Sequence, residues 1–321
     1  NLKITKSMKK LYITGGCGYV GSLMIQKFLK KYNIHNVDTQ WFGNKLIKNN
    51  NLVNVKEDIR NLNGEFIEKN TYAVVHLANI ANDPSVELDQ TLSWEVNVLA
   101  AKNLIETSIK AGVKKFIYAS SGSVYGVKNE LKVTEDLELV PISTYNKTKM
   151  ICERLLLSYR DEIDVYIIRP ATVCGLSPRM RFDVSVNMLI LQALKNKKIT
   201  IMGGNQTRPN IHINDMISVY EHILTSDIEQ GIYNAGFENI SILELGKKIQ
   251  SKIDCEIEII ESNDPRSYRQ CSDKLLETGF EQKFDVDNAI DQISDAFYNN
   301  NLVDDESCYT VKWMKNKVLN G

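Results

Sequence analysis

The chain has 321 residues, 43% of them hydrophobic and 25% charged, with 39 basic against 40 acidic side chains and a formal net charge of -1. No run of Lys and Arg makes a concentrated positive face, which argues against a nucleic-acid or polyanion partner, and no apolar run approaches the ~18 residues of a membrane span. The length exceeds the usual domain mode of roughly 100–150 residues and suits one large α/β domain with an appended lobe.

The six cysteines (Cys17, Cys152, Cys174, Cys255, Cys271 and Cys308) are scattered, without a Cys-x-x-Cys or a His at metal spacing. They read as free thiols of a reducing compartment, and the expected location is cytoplasmic. Residues 1–7 are polar and lack the apolar core of a secretory leader; Met8 is a candidate native start.

Residues 10–14 (KLYIT) form a short apolar run ending in Gly15-Gly16-Cys17-Gly18-Tyr19-Val20-Gly21, and an amphipathic stretch follows to about residue 32. The pattern is strand, tight turn, helix. Further strands are expected at 34–38, 52–56, 72–77, 115–119 and 165–168, with helices at 88–112 and 145–159 between them. The first of these helices stops at Gly112, a plausible C-terminal cap.

Strands that are nearly continuous apolar runs, alternating with helices, indicate a buried parallel sheet. Right-handed crossovers make it an α/β, Rossmann-type doubly wound fold with its ligand at the carboxyl ends of the strands. A dinucleotide-binding domain is expected over 8–173. Helices at 183–196, 214–224, 241–253 and 286–298, with strands at 199–202 and 232–235, read as a smaller α/β lobe over 174–321. No Gly/Pro/Ser-rich linker separates the two, so segments are expected to cross between them.

In Gly15-x-x-Gly18-x-x-Gly21 the first glycine permits the tight turn, the second lets backbone N–H groups approach a pyrophosphate, and the third allows close packing of helix on strand. Asp38 ends the next strand, where a carboxylate can accept both ribose hydroxyls of adenosine. It would repel a 2′-phosphate, so NAD is expected rather than NADP. Asp58 follows the third strand and could take the adenine amino group while the Ile59 backbone assists, or simply cap a helix.

Ser121, after the fifth strand, joins Tyr145 and Lys149, which lie four apart on one helix face. An ammonium nearby, together with the positive ring of a bound nicotinamide, favours phenolate, so the tyrosine pKa is expected to fall from ~10 towards neutral, where it acts as general base. Lys149 would also hold the nicotinamide ribose, and Ser121 would hydrogen-bond the reacting oxygen and share its proton. Asn97, amid helix formers, is a candidate for tying its helix to the neighbouring strand and supporting the cofactor site. His212 reads as structural.

With these residues in view, the chain resembles an extended short-chain dehydrogenase/reductase of the NAD-dependent epimerase/dehydratase family acting on nucleotide sugars. The matching stretches are 14–21, Asp58-Ile59-Arg60, His76-Leu77-Ala78, Asn97, Ser120-Ser121 with Val124-Tyr125-Gly126, Tyr145 to Lys149, Arg169-Pro170, and Arg208-Pro209 through Asp215. The resemblance implies tightly held NAD, oxidation of a sugar hydroxyl (usually at C4) to a keto intermediate, and a homodimer formed by a four-helix bundle of the 88–112 and 145–159 helices. It places Gly18, Tyr19 and Val20 at the pyrophosphate, and Leu77, Ala78 and Pro170 along the cofactor. Ser123 and Thr172 stand at substrate-contacting positions, and Arg179, Arg181, Arg208 and Arg266 are the candidate cations for a substrate diphosphate, a task that suits the guanidinium fork.

Departures narrow the reaction. Family 4,6-dehydratases carry Asp-Glu where this chain has Gly122 and Ser123, so elimination of water lacks its acid and base. The Asn common three positions after the strand arginine is Thr172 here. The stretch 177–183, with Asn82-Asp83-Pro84, resembles a subgroup known chiefly as epimerases. The expected activity is therefore an epimerase working through a 4-keto intermediate. The alternative is a net 4-dehydrogenase releasing that keto sugar, as on a GDP-heptose in capsule biosynthesis. A non-catalytic NAD-binding regulator is the rival of another class.

Overall fold

The computed structural model describes residues 8–262 and 267–318. Its centre is a seven-stranded, wholly parallel sheet. In chain order the first six strands are β1 (Lys9–Thr14), β2 (Tyr32–Asp38), β3 (Leu52–Lys56), β4 (Thr71–His76), β5 (Lys115–Ala119) and β6 (Asp164–Pro170). Spatially they run β3-β2-β1-β4-β5-β6. The order reverses between β1 and β4, so the crevice of a doubly wound sheet opens at the carboxyl ends of those two strands.

Helices α1 (Tyr19–Phe28), α2 (Asp83–Val86), α3 (Gln90–Trp94), α4 (Ala100–Lys110) and α5 (Thr144–Leu157) connect the strands. Strand side chains alternate between two buried faces. Leu11 and Ile13 pack with Met24 and Phe28 of α1. Tyr12, Phe116 and Tyr118 point the other way, onto Leu104 and Ile105 of α4 and Leu156 of α5. Burial of both faces is why the strands read as unbroken apolar runs, each large side chain contributing about 1.5–3 kcal/mol.

The second half adds β7 (Thr172–Cys174), α6 (Ser185–Asn196), β8 (Lys198–Met202), β9 (Thr207–His212), α7 (Ile213–Thr225), β10 (Gly231–Ala235), β11 (Glu238–Ser241), α8 (Ile242–Lys252), β12 (Glu256–Ile260), α9 (Asp273–Glu277), α10 (Val286–Tyr298) and α11 (Thr310–Trp313). A three-stranded sheet (β11-β9-β7) and a β12-β8 pair form there. β10 instead joins the large sheet as its seventh strand, with Ile232 opposite Ile167. Thus the second half returns to complete the sheet that the first half begins.

The helix expected over 88–112 is not continuous. Between α3 and α4, Glu95–Leu99 winds as a π-turn, and Asn97 lies in it. Such a bulge swells the helix by one residue and re-aims its side chains. Here it turns the Asn97 amide onto the backbone of Ile80.

Candidate active site

Gly15 sits at φ +78°, a conformation that favours glycine, and a Cβ there would lie 2.5 Å from the Ala78 nitrogen. The β1 turn and the segment after β4 therefore touch at the point of strand reversal. A Cβ on Gly21 would strike the Gly15 carbonyl at 2.4 Å, so only glycine lets α1 lie this close to its own turn. Gly18 caps α1 with no side chain over the helix start, leaving the first amide N–H groups open to the cleft.

Two side chains from β2 stiffen this turn. Gly16 N donates to Asn36 Oδ1 at 2.9 Å, and Cys17 N donates to Asp38 Oδ2 at 2.9 Å. The Asn36 role was not foreseen; an Asn inside an apolar strand was the available signal.

A cleft of about 430 Å³ runs from this turn to Tyr145. Gly15, Gly18, Tyr19, Val20, Gly21, Asp38, Asp58, Ile59, Leu77, Ala78 and Pro170 all line it. At one end Asp38 also accepts the Gln40 N–H at 2.6 Å. Burial raises its carboxyl above the usual range, while the two backbone N–H groups pull it back. Asp58 caps a short 3-10 turn through Arg60 N at 2.8 Å and pairs with the Arg60 guanidinium at 2.9 Å while facing the cleft. The cap is thus formed, and the carboxylate still lines the cleft. Trp41 and Phe42 add an apolar wall that local sequence did not announce.

Ser121, Ser123, Tyr145 and Thr172 line the other end. Tyr145 lies in the first turn of α5, whose start is capped by Ser143, accepting Asn146 N at 3.1 Å. Ser121 Oγ and Ser123 Oγ are 2.7 Å apart, and Ser123 donates to Asn146 Oδ1 at 2.6 Å. This chain fixes the serine rotamers beside the phenol.

The ammonium by itself does not bring the tyrosine down; the lowering expected with the positive nicotinamide ring concerns the loaded site. Burial and the Asp83 charge push Tyr145 up to about 12, against the pull of Arg181 and of a hydrogen bond from Ser121. Lys149 does not offset this. It is buried beneath the cleft lining and donates to the Ala119 carbonyl at 2.6 Å, and its ammonium lies 5.8 Å from the Tyr145 ring centroid. Burial brings Lys149 down to about 8.

Two neighbouring asparagines take different parts, and Asn97 ties its helix to the segment after β4, the support expected of it. Asn97 does not line the cleft. Its oxygen accepts Ile80 N at 2.9 Å, and its amide donates to Ile80 O and Thr148 Oγ1, both at 3.2 Å. It therefore acts on the cleft through Ile80 rather than by contact. Asn79 does line the cleft, and its buried side-chain oxygen and nitrogen have no partner among the described residues.

The four arginines expected at a substrate diphosphate part company. Arg179 and Arg181 line the cleft near the start of α1. Arg208 lies on β9, away from the cleft wall. Arg266 lies outside the described residues. His212 is structural, as expected: it accepts Asn214 N at 3.1 Å, meets Gln292 at 3.1 Å, and stacks on Phe284.

The cradle fits a dinucleotide: open helix-start amides beside a glycine, an acid at the end of β2, and unpartnered polar atoms along the wall. The model of the NAD dependent epimerase/dehydratase family matches residues 11–236. The chain is 30% identical over 259 residues to an uncharacterized UDP-glucose epimerase of Bacillus subtilis, covering 75% of this chain and 81% of that one. It is 28% identical over 305 residues to a putative UDP-glucose 4-epimerase of Methanocaldococcus jannaschii, covering 91% and 99%. The Bacillus cereus UDP-glucuronic acid 4-epimerase, solved with UDP-glucuronic acid and NAD, superposes with a TM-score of 0.79 at 26% identity, covering 91% and 99%. Its cofactor is NAD, and this chain belongs to the NAD-dependent epimerase/dehydratase family of nucleotide-sugar enzymes.

Proposed function

We propose that the protein is a nucleotide-sugar 4-epimerase that oxidises the C4 hydroxyl and returns the hydride to the opposite face of the resulting 4-keto sugar. The observation that carries this reading is the meeting of Ser121, Ser123 and Tyr145 at one end of a cleft whose other end is the glycine turn with Asp38. When bound, NAD supplies the hydride acceptor, and its positive ring favours phenolate.

The chain's own residues manage the proton. Tyr145 Oη takes it from the sugar hydroxyl as general base, and Ser121 Oγ, turning its single proton from Ser123 to the substrate, donates a hydrogen bond to the same oxygen. Ser123 and Asn146 hold Ser121 in place. Lys149, anchored on Ala119, keeps the Tyr145 turn of α5 fixed against β5 and presents a cation behind the ring. With the phenol at about 12 before the cofactor's charge acts, proton uptake from the substrate waits for the loaded site.

Elimination of water is disfavoured by space as well as by composition. A Cβ on Gly122 would sit 3.1 Å from Gln270 Oε1 and 3.2 Å from the Pro170 carbonyl, so an acid at this position is crowded and needs both neighbours to give by a few tenths of an ångström. A dimer through α4 and α5 is in keeping with the exposure of Leu99, in the π-turn just before α4 (62%), and of Ile151 on α5 (37%).

The test is absorbance at 340 nm after mixing the purified protein, without added NAD, with UDP-, GDP-, TDP- and CDP-sugars singly, followed by mass and NMR analysis of products. A flat or transient signal with an isomeric product supports the epimerase. A lasting stoichiometric rise with a product two mass units lighter replaces it with the net dehydrogenase. No signal and no product with NAD bound, together with a cellular function that Tyr145→Phe leaves untouched, would leave the regulator.

A further inference from the structure

We propose that Arg179 and Arg181 form a clamp for the diphosphate of the bound dinucleotide, rather than contacts for the substrate's diphosphate. This rests on NAD as the cofactor and adds a binding role for a segment outside the glycine turn.

The segment 177–183 is fastened to the start of α1. Ser177 Oγ donates to the Tyr19 carbonyl at 2.6 Å and lies 3.1 Å from Ser22 Oγ, which accepts Arg179 N at 3.3 Å. Tyr19 OH in turn donates to the Gly175 carbonyl at 2.7 Å. The two guanidiniums therefore share a wall with Gly18, Tyr19 and Val20, where the open helix-start amides gather. Along the cleft, the field of Arg179 reaches Asp38, and that of Arg181 reaches Tyr145. A dinucleotide lying from Asp38 to Tyr145 has its diphosphate between those points.

The hydrogen bonds of both side chains are incomplete. Arg179 is 4% exposed; its Nη2 donates to the Ser307 carbonyl at 3.0 Å and to Thr310 Oγ1 at 3.3 Å, while its Nε has no partner among the described residues. Arg181 gives its Nε to Asp183 Oδ1 at 2.9 Å, and its buried Nη2 has none. Unpartnered N–H groups on buried cations are costly, and two guanidiniums side by side repel. Arg179 is brought down to about 10 by burial and by Arg181. An anion with several acceptor oxygens satisfies both donors and the charge together. Phe42, 4.1 Å from the Arg179 guanidinium carbon, and Thr310, on the segment that follows α10, hold the fork from the far side.

The test compares holoenzyme carrying Arg179→Met, Arg181→Met or Arg181→Lys with wild type. Release of resident NAD is followed by exchange against isotopically labelled NAD and mass analysis, and UDP and GDP are titrated calorimetrically into the same samples. The expected result is exchange accelerated about 10- to 100-fold by either Met variant, the worth of one hydrogen bond to a charged group. Arg181→Lys should fall between, and diphosphate affinity should stay unchanged. Exchange no faster than wild type in both Met variants overturns the clamp, whatever the titration gives. Faster exchange with an equal loss of diphosphate binding also overturns it, because that reports a general loosening.

Discussion

Two regions meet at the carboxyl end of β5 and treat buried polar groups in opposite ways. Behind the strand, Arg169 gives Nε to Glu153 Oε1 at 3.0 Å and Nη2 to Oε2 at 2.7 Å, and its Nη1 reaches Tyr125 OH at 2.8 Å. Tyr125 passes its proton to Asn234 Oδ1 at 2.8 Å, and Ser120 caps the same Glu153. In front, the cleft wall carries Arg179, Arg181 and Asn79 with buried atoms that nothing in the described chain satisfies. Arg169 and Arg179 are about equally buried, at 2% and 4%. What differs is whether the partners belong to the chain. A closed network fixes the strand end; an open one marks where a ligand must supply the remaining hydrogen bonds.

The largest effect that sharpens this contrast belongs to the front. Tyr145→Phe should lower turnover by about 10²–10⁴-fold while leaving NAD content and urea midpoint unchanged, because the proton transfer is lost and no closed network is broken. A drop in stability of the same variant would place Tyr145 in the structural set instead.

Next comes the region behind. Glu153→Ala strands the buried Arg169 charge and should destabilise the protein by about 3–5 kcal/mol, read from urea unfolding. If that loss stays below about 1 kcal/mol, the two regions do not differ as drawn.

The asparagine pair divides them at a finer scale. Asn97→Ala should cost about 1–3 kcal/mol of stability, since it leaves the Ile80 backbone groups unpaired. Asn79→Ala should leave stability within about 0.5 kcal/mol and speed NAD release. Equal effects on stability would erase the distinction.

The smallest effect is a pH dependence at Lys149, on the border of the two regions. Its folded value of about 8 lies below the ordinary value of 10.5. Between those pH values the folded chain releases a proton that the unfolded chain keeps. This group therefore makes the protein more stable as pH rises from about 8 towards 10, and the gain is lost as pH falls through 8. For a single proton the slope of stability against pH is at most about 1.4 kcal/mol per pH unit. Unfolding of NAD-stripped protein from pH 7 to 10, wild type minus Lys149→Met, should show the rise; a flat difference would put the ammonium in a more solvated place.

Much of the architecture was legible in the chain itself. Apolar runs alternating with amphipathic stretches, and a Gly-x-x-Gly-x-x-Gly turn after the first run, dictate a doubly wound sheet, because strand and helix periodicities are local properties. The same holds for Ser121, Tyr145 and Asp38, each at the carboxyl end of a strand or the start of a helix. Assignments that depend on what a side chain meets across the fold were not legible. The tie that Asn97 makes to Ile80 was legible, but nothing local marked Asn79, two residues after Leu77, as the asparagine whose amide lines the cleft without a partner among the described residues. Nor could spacing reveal that burial outweighs the nearby ammonium at Tyr145, since desolvation depends on everything packed around the ring.

The sequence by itself determined the fold class, the dinucleotide turn and the hydroxyls proposed for catalysis, through patterns a few residues long. Only the tertiary structure decided which buried donors are already satisfied. It brought β10 back to complete the sheet, and it laid the arginines of 177–183 against a helix that begins more than 150 residues earlier. The physical reason is that hydrogen-bond satisfaction is settled between residues distant in the chain, where propensity and periodicity carry no information.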